Sequence, residues 1–290
     1  MSLKITIGIP FYNNEKTLGI AIESVVRQTF KAWVLYLIDD GSIDNSLEIA
    51  QKFVNSDNRI ILISDGMNKG LVYRLNQVID ISDTEYIARM DADDIMLPER
   101  LEKQLKVFEN NTNIDVVSSA AYTIDMNDNP VGVRGTEALD CQNFKSILKR
   151  SLLIHPSILV KTKWYKLNQY DKDYFRAEDF ELWCRTFNYT VFYKINEPLM
   201  LYREGNIKIN NYIASMNTLR KIIKKYSNGV LTNFEIRVEI LKTYLKSWTY
   251  IFFGFFNLQY FLTKKRNNNL TKNQKELILN FILSLKLRND

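Results

Sequence analysis

The chain has 290 residues, of which 46% are hydrophobic and 25% charged, so it can fold into one large domain or one domain with an appendage. Two cysteines, Cys141 and Cys184, exclude a disulfide framework and a four-cysteine zinc site, and a single histidine, His155, excludes any site that needs two. The net charge of +6 is uneven, because residues 204–290 carry 15 basic and 5 acidic side chains and residues 1–203 carry 24 and 28. The acidic part suits metal or cation chemistry, and the basic part suits an anionic partner.

The sequence predicts neither a signal peptide nor a membrane-spanning helix. The first residues lack the pattern of a signal peptide, and no run of 18 apolar residues occurs. The closest approach, residues 248–262, is interrupted by Asn257 and Gln259. Since cysteines are also few, we expect a cytoplasmic protein.

The first 110 residues alternate between apolar strands and amphipathic helices. Pro10 is expected to end the first strand, Asp44 to cap the second helix and Pro98 to start the fourth. Strands are predicted at 4–10, 33–38, 59–63 and 84–90, and a helix follows each of them. This repetition predicts an α/β fold with a mostly parallel sheet covered by helices on both faces.

Beyond residue 110 the pattern is looser. Strands are expected at 114–119 and 156–160, with a short helix at 178–187. After about residue 212 the chain is basic and helical, with one long or broken helix at 234–262 and another at 271–287. The change of pattern near residue 205 is the candidate domain boundary.

Two acidic clusters follow predicted strands, at the edge where parallel sheets bind ligands. Asp91, Asp93 and Asp94 stand around Ala92, and such crowded carboxylates suit Mg²⁺ or Mn²⁺. The alternative is an exposed acidic loop before a helix. Asp39-Asp40-Gly41-Ser42 offers carboxylates to a nucleobase, or alternatively forms a plain strand-to-helix turn.

Two further charged groups have both a functional and a structural interpretation. Arg74 lies one helical turn after Gly70, so it can reach a phosphate, hold an acidic cluster in place, or lie on the surface. Glu178 and Asp179 can supply a general base, or can simply favour the N-terminal end of a helix dipole. His155, Trp183 and Cys184 are interpreted as structural or packing residues, with a place for His155 near a bound ligand as the alternative.

The ordered set of these motifs resembles the family-2 glycosyltransferases, which are nucleotide-sugar-dependent enzymes of the GT-A fold. The resemblance covers about residues 3–205, and the last 80 or so residues match no pattern that we could use. The segments that carry it are Ile9-Pro10-Phe11-Tyr12-Asn13 with Glu15, residues 24–30, residues 38–44, Asn68 with Gly70, Arg74 and Asn76, Asp91-Ala92-Asp93-Asp94, and Glu178-Asp179.

The resemblance implies a role for each matching residue. Pro10, Tyr12 and Glu15 would line the nucleotide pocket, Asp40 would accept a hydrogen bond from the base, Asp39 would support it, and Arg74 would lie near the base or diphosphate. Asp91-Ala92-Asp93 would be the DxD motif that holds a divalent ion, Mn²⁺ or Mg²⁺, and touches the ribose. Asp93 is the favoured metal ligand, with Asp91 and Asp94 beside it, and Asp179 is the favoured base, with Glu178 next to it.

The implied architecture is a catalytic domain at 1–205 and a basic helical region at 206–290. The catalytic domain would have a nucleotide-binding half to about residue 110 and an acceptor-binding half at 111–205. The implied reaction is inverting transfer from a nucleotide sugar, with a UDP-sugar favoured, to a saccharide or lipid-linked saccharide in cell-surface polysaccharide synthesis. The alternatives are a sugar nucleotidyltransferase, although the Gly-rich loop of that class is missing after the first strand, and a non-catalytic scaffold subunit that binds nucleotide sugars.

The basic C-terminal region has competing interpretations. Its aromatic run at 251–256 and Lys264-Lys265-Arg266 suit the inner face of an anionic membrane. Alternatively these helices pack on the catalytic domain or form a homodimer. No recognised nucleic-acid readout motif occurs, so no nucleic-acid partner is expected.

Overall fold

The first half of the sheet consists of four parallel strands in the order β3-β2-β1-β4. The computed structural model describes residues 4–138, 140–141, 143–149, 153–205, 208–256, 262 and 267–287. The four strands are β1 (Ile5–Phe11), β2 (Trp33–Asp39), β3 (Ile60–Ser64) and β4 (Tyr86–Arg89). Gly8 of β1 permits close packing of a helix on this sheet, because a Cβ there would lie 2.5 Å from Val78 Cγ1.

The second half of the sheet mixes strand directions. It continues the order as β8-β6-β9-β5, and β7 pairs with β6. The strands are β5 (Ile95–Met96), β6 (Val116–Ile124), β7 (Pro130–Arg134), β8 (Leu159–Lys161) and β9 (Phe192–Arg203). β6 and β9 are parallel, whereas β8 is antiparallel to both β4 and β6.

Helices cover both faces of the sheet. In chain order they are α1 (Leu18–Val26), α2 (Ser46–Ser56), α3 (Leu71–Ile81), α4 (Arg100–Asn110), α5 (Phe144–Lys149), α6 (Thr162–Leu167), α7 (Glu178–Thr186), α8 (Ile209–Tyr226), α9 (Asn233–Phe255) and α10 (Lys272–Lys286). One buried cluster joins α3, α6 and α7 to the sheet, and a second joins α1 and α4 to it. The α/β fold class, with C-terminal helices, is confirmed.

Several predicted boundaries need correction. Pro10 does not end β1, because it pairs with Ile38 of β2 and the strand continues to Phe11. The ladder between β1 and β4 already ends at Gly8, so the N–H that proline lacks is not needed on that side. Asp44 lies one residue before the N-cap Asn45, yet its Oδ1 accepts the Ser46 N–H at 3.0 Å. The fourth helix begins at Arg100 rather than at Pro98.

The second half shows larger differences from prediction. β6 extends to Ile124 instead of ending at residue 119, and residues 155–157 form a 3-10 turn before β8. The short strands β5 and β7 and the long strand β9 had no sequence prediction. The helix predicted at 234–262 is described as α9 up to Phe255, and residues 257–261 lie outside the described residues, as do Lys264-Lys265-Arg266.

The last helix packs back against the N-terminal part of the chain. Ile278, Ile282 and Leu285 of α10 are buried in one cluster with Ile20 of α1 and Ile95 of β5. Arg27, the C-cap of α1, donates to the Ser284 carbonyl at 2.7 Å. The division into domains at residue 205 stays a prediction. Within the described part of the chain, no helix is both long enough and apolar enough to cross a bilayer.

Candidate active site

The loops after β1 and β2 are tied together by hydrogen bonds. The Glu15 N–H donates to Asp44 Oδ2 at 3.1 Å, and Asn45 donates from its backbone and side chain to Glu15 Oε2 at 3.2 and 3.0 Å. Asn13, in the left-handed region at φ 54°, accepts from the Ile43 N–H at 2.9 Å. The loops after β1 and β2 are therefore held in a fixed arrangement at this edge of the sheet, and Glu15 contributes to it.

Asp39 and Asp40 form a first acidic cluster whose hydrogen bonds come from inside the protein. Asp39 is 1% exposed, and it accepts from the Ser42 N–H at 2.9 Å and the Ser64 hydroxyl at 2.7 Å. Asp40 is 6% exposed, and it accepts from the backbone N–H groups of Lys69 and Gly70 at 2.8 and 3.0 Å. This cluster is rigid before any ligand arrives.

Arg74 lies beneath that cluster. It is fully buried, and its Nε donates to Asp40 Oδ1 at 2.8 Å while its Nη2 donates to Asp65 Oδ1 at 2.6 Å. The Arg74 guanidinium, followed by Lys69, holds the pKa of Asp65 well below its usual range. Of the three interpretations offered by the sequence, the geometry matches an arginine that holds an acidic cluster in place, so any influence on a base or phosphate passes through Asp40.

The other predicted nucleotide contacts take different positions on the same edge. Pro10 is buried near the end of β1, and Tyr12, just beyond it, is 46% exposed. Ala92 is 4% exposed and belongs to the core cluster beneath the sheet, so only its backbone can face a ligand.

Asp91, Asp93 and Asp94 form the second acidic cluster. One carboxylate oxygen from each lies within 4.8 Å of the others. Asp94 is 0% exposed, and its Oδ2 has no hydrogen-bond partner among the described residues. Burial, followed by the charge of Asp91, raises the pKa of Asp93 to about 6 and that of Asp94 well above its usual range. Carboxylate oxygens that are crowded, partly buried and incompletely bonded fit a hard divalent cation.

Arg203, the last residue of β9, holds this cluster in position. Arg203, at the end of β9, donates its backbone N–H to Asp94 Oδ1 at 2.8 Å and its Nε to the Asp93 carbonyl at 2.8 Å. Its Nη1 pairs with Asp128 at 2.6 Å, and Asp128 pairs with Lys286 of α10 at 2.5 Å. The C-terminal helix is thus linked to the acidic cluster through two ion pairs.

Arg89 is a functional candidate that the sequence reasoning missed. It is 5% exposed at the end of β4, and its Nη2 lies 2.5 Å from Asp91 Oδ1. Its Nε and Nη1 are buried without a partner in the part of the chain that the structure describes. Burial acts to lower its pKa, but Asp91 and the neighbouring groups outweigh burial and raise it. The sequence does contain a signal for this residue, because Arg89 is a charged side chain in a short apolar strand just before the acidic run at 91–94.

Glu178 and Asp179 lie at the start of α7, where the charges of Arg89 and Asp91 influence the pKa of both. Burial, followed by Asp179, raises the pKa of Glu178 to about 7. Burial likewise raises the pKa of Asp179, against its backbone hydrogen bond and Arg89, which lower it. Since the charge of Asp91 raises the pKa of both carboxyls, the start of α7 lies within electrostatic range of the second acidic cluster. Glu178 is 7% exposed, whereas Asp179 is only partly buried and thus the more accessible of the two.

His155 belongs to a buried polar network. It shares a 2.5 Å hydrogen bond with the Tyr170 hydroxyl, which also bonds to Tyr165. Burial, followed by Arg89, lowers the pKa of His155 well below its usual range, so the ring is neutral near pH 7. This matches the structural interpretation of His155. Cys184 is 4% exposed, in keeping with a packing role.

A groove of about 640 Å³ lies between the start of α3 and the loop before α7. Its walls include the exposed side chains of Tyr73 and Phe175, together with Gly70, whose N–H holds Asp40. Its volume is in the range of small-ligand sites.

Comparisons with known proteins agree with this geometry. The family model described as Glycosyl transferase family 2 matches residues 6–193. An uncharacterised glycosyltransferase of Methanocaldococcus jannaschii is 36% identical over 214 residues, which are 72% of this chain and 73% of that protein.

Two solved structures share the architecture. TarS 1–349 of S. aureus, in complex with UDP-GlcNAc, has a TM-score of 0.60 at 16% identity over 83% of this chain and 71% of that one. The mannosyltransferase PcManGT of Pyrobaculum calidifontis, in complex with GDP-Man and Mn²⁺, has a TM-score of 0.60 at 14% identity over 85% and 70%. At these identities the likeness establishes the fold, and it confirms the predicted GT-A architecture.

Proposed function

The chain belongs to glycosyl transferase family 2 and is a glycosyltransferase. From that membership we propose that it moves a sugar from a nucleoside diphosphate to an acceptor hydroxyl, with inversion at the anomeric carbon. A UDP-sugar is the favoured donor, and the UDP-GlcNAc bound to TarS supports this choice, although the GDP-Man bound to PcManGT makes GDP the necessary comparison. The acceptor is a saccharide or lipid-linked saccharide in the synthesis of a cell-surface polysaccharide.

The second acidic cluster is the observation that carries the proposal. A buried carboxylate oxygen without a partner, Asp94 Oδ2, stands beside two further carboxylates. Asp93 is the favoured ligand for Mn²⁺ or Mg²⁺, with Asp91 and Asp94 beside it. When bound, such an ion offsets the negative charge that develops on the leaving diphosphate.

The first acidic cluster binds and orients the nucleotide. Asp40 accepts from the base while Arg74 and the Gly70 N–H keep its carboxylate fixed. Asp39 supports the turn that follows β2. Pro10, Tyr12 and Glu15 form the adjoining wall, and Asp91 with the Ala92 backbone lies on the ribose side.

Asp179 acts as the general base. As the acceptor oxygen bonds to the anomeric carbon, the bond to the diphosphate oxygen breaks, and the acceptor proton moves to Asp179. A raised pKa strengthens this carboxylate as a proton acceptor, and its incomplete burial leaves it reachable. Glu178 stands next to this base, and the charge of Asp179 adds to burial in raising the pKa of Glu178.

The test is Asp179→Asn. We expect transfer to fall by about 10²–10⁴-fold, because proton removal by a positioned base contributes that much. The affinity for nucleotide should be retained, since the first acidic cluster is untouched. Radiolabelled UDP-sugar turnover and nucleotide titration measure the two quantities.

The matched control is Asp173→Asn, an exposed carboxylate on the loop before α7. It should transfer sugar at the wild-type rate. Transfer by Asp179→Asn at near the wild-type rate would show that the base is a different group.

A further inference from the structure

Helix α9 presents its apolar side to solvent. We call the exposed residues on this side the α9 apolar stripe, which consists of Leu241, Tyr244, Leu245, Trp248, Phe252 and Phe255. Their spacing of three, four and seven residues places them on one face of the helix. Trp248 is 72% exposed and Phe255 83% exposed, although large aromatic side chains usually lie in the core.

The opposite face of α9 is the buried one, and it is more polar. Thr243, Ser247 and Tyr250 are buried at spacings of four and three residues. Tyr250 stacks on Tyr212 of α8 at 3.6 Å between ring centroids, and Arg220 of α8 donates to the Thr243 hydroxyl at 3.1 Å. The buried side of α9 thus packs on α8, and the stripe lies on the side of the helix that faces away from the protein.

Positive charge exceeds negative charge in this part of the chain. Residues 208–256 contain eight Lys or Arg and two Glu. Both glutamates are paired, Glu235 with Lys145 at 2.7 Å and Glu239 with Lys242 at 2.8 Å. Arg237, which lies on the stripe's side of α9, and Lys246 are exposed. An apolar stripe on a helix in a region with excess basic residues is the pattern of a helix that lies in the interface of an anionic bilayer.

We propose that the α9 apolar stripe docks on an anionic lipid bilayer, with α9 parallel to the membrane plane. Trp and Tyr favour the level of the lipid headgroups, and lysines and arginines near an anionic surface add attraction. The net positive charge of residues 208–256 favours an anionic lipid surface over a second copy of this chain, which would bring like charge to the interface. The docking surface is separate from the residues proposed to bind donor or remove the acceptor proton, so its test needs no catalysis.

The chain carries its own probe for this surface. Of its four tryptophans, Trp33, Trp164 and Trp183 are at most 7% exposed, and Trp248 is the exposed one. The full chain is mixed with vesicles of phosphatidylcholine alone or with about one third phosphatidylglycerol. We expect a blue shift of tryptophan emission and protection from acrylamide with the anionic vesicles, and co-flotation of the protein with them.

The variant Phe252→Ser with Phe255→Ser keeps the probe and removes two stripe side chains that are 62% and 83% exposed, so folding should be unaffected. Its partitioning should fall at least tenfold, whereas Arg237→Gln, on the stripe's side of α9, should lower partitioning about fivefold. The matched control is Leu167→Ser on α6, which removes a side chain that is 77% exposed elsewhere and should partition as the wild type does.

Three results would overturn the proposal. Trp248 emission and flotation could remain unchanged with anionic vesicles. The double Phe variant could bind the vesicles as well as the wild type, which would assign binding to another surface. Finally, sedimentation equilibrium could show a dimer that the double Phe variant dissociates, without vesicle binding, which would assign the stripe to a second copy.

Discussion

The two acidic clusters lie at the same edge of one sheet, yet the protein treats their charge in opposite ways. Asp39 and Asp40 receive backbone N–H groups, a hydroxyl and the buried guanidinium of Arg74. In the second cluster, Asp94 Oδ2 has no partner within the described ranges, and the pKa values of Asp93 and Asp94 are raised by burial and mutual repulsion. The first cluster receives hydrogen bonds from the folded chain, whereas the charge of the second is relieved by protonation or, under the proposed function, by a divalent cation.

This difference separates binding from chemistry. A carboxylate with fixed hydrogen bonds is suited to recognise a neutral donor group such as a nucleobase edge, because it need not reorganise. Crowded carboxylates repel one another, and under the proposed function a divalent ion would relieve that repulsion where the charge of the leaving diphosphate develops.

Arg74→Leu should have the largest effect on stability. It removes the buried cation and leaves Asp40 in a site that is 6% exposed, so the free energy of unfolding should fall by about 3–5 kcal/mol. Urea unfolding measures the change. The control is Lys52→Gln, which breaks an exposed pair with Glu48 on α2 and should cost less than about 1 kcal/mol. Equal losses for the two variants would mean that the first cluster does not depend on Arg74.

The pH dependence of stability should reveal the second cluster. Burial and neighbouring charge raise the pKa of Asp93 to about 6 and that of Glu178 to about 7, above the usual values of carboxyls. The folded protein therefore holds these protons more tightly than the unfolded chain. Their contribution to stability is complete below about pH 4 and is lost as the pH rises to about 7.

Without divalent ions, Tm should fall by on the order of 5 °C between about pH 5 and pH 8. Mn²⁺ binds the ionised carboxylates, so the increase in Tm that it produces should grow over the same interval and disappear with a chelator. Calorimetry with and without Mn²⁺ checks both trends. An Mn²⁺ effect that is larger at pH 5 than at pH 8 would be inconsistent with a carboxylate site.

Ser64→Ala should have the smallest effect. It removes the 2.7 Å hydrogen bond to Asp39 Oδ2 but leaves the Ser42 N–H bond, so we expect a loss of about 1 kcal/mol. Ser56→Ala, which removes an exposed hydroxyl bond to a helix carbonyl, is the control. A loss for Ser64→Ala as large as that of Arg74→Leu would indicate that Asp39, rather than Asp40, anchors the cluster.

The sequence predicts the first half of the molecule well, because local patterns determine it. Apolar runs followed by helical periodicity indicate parallel strands, and this places Asp40 and Asp93 at one edge without any long-range information. The resemblance adds α7, and the structure does bring Glu178 and Asp179 under the influence of Asp91.

The supports of the second cluster could not be predicted in this way. Arg203 follows Asp94 by more than a hundred residues, and its role requires β9 to end beside the acidic loop. The link from Asp128 to Lys286 depends on α10 packing against α1. Likewise, the sequence shows the aromatic residues of α9 but not that α8 covers the opposite, polar face.

The central claim is that the first cluster binds the nucleotide unaided, whereas the second needs a divalent ion. Thermal stabilisation by UDP, with GDP, CDP and dTDP in parallel, tests it in the wild type and in Asp93→Asn, each with and without Mn²⁺. A ligand at about 100 times its Kd should add about 2.7 kcal/mol to the free energy of unfolding. We predict that one nucleotide stabilises both proteins weakly without Mn²⁺, and that Mn²⁺ increases the shift strongly in the wild type alone. A full shift in the wild type without Mn²⁺, or an equal Mn²⁺ increment in Asp93→Asn, would contradict the account.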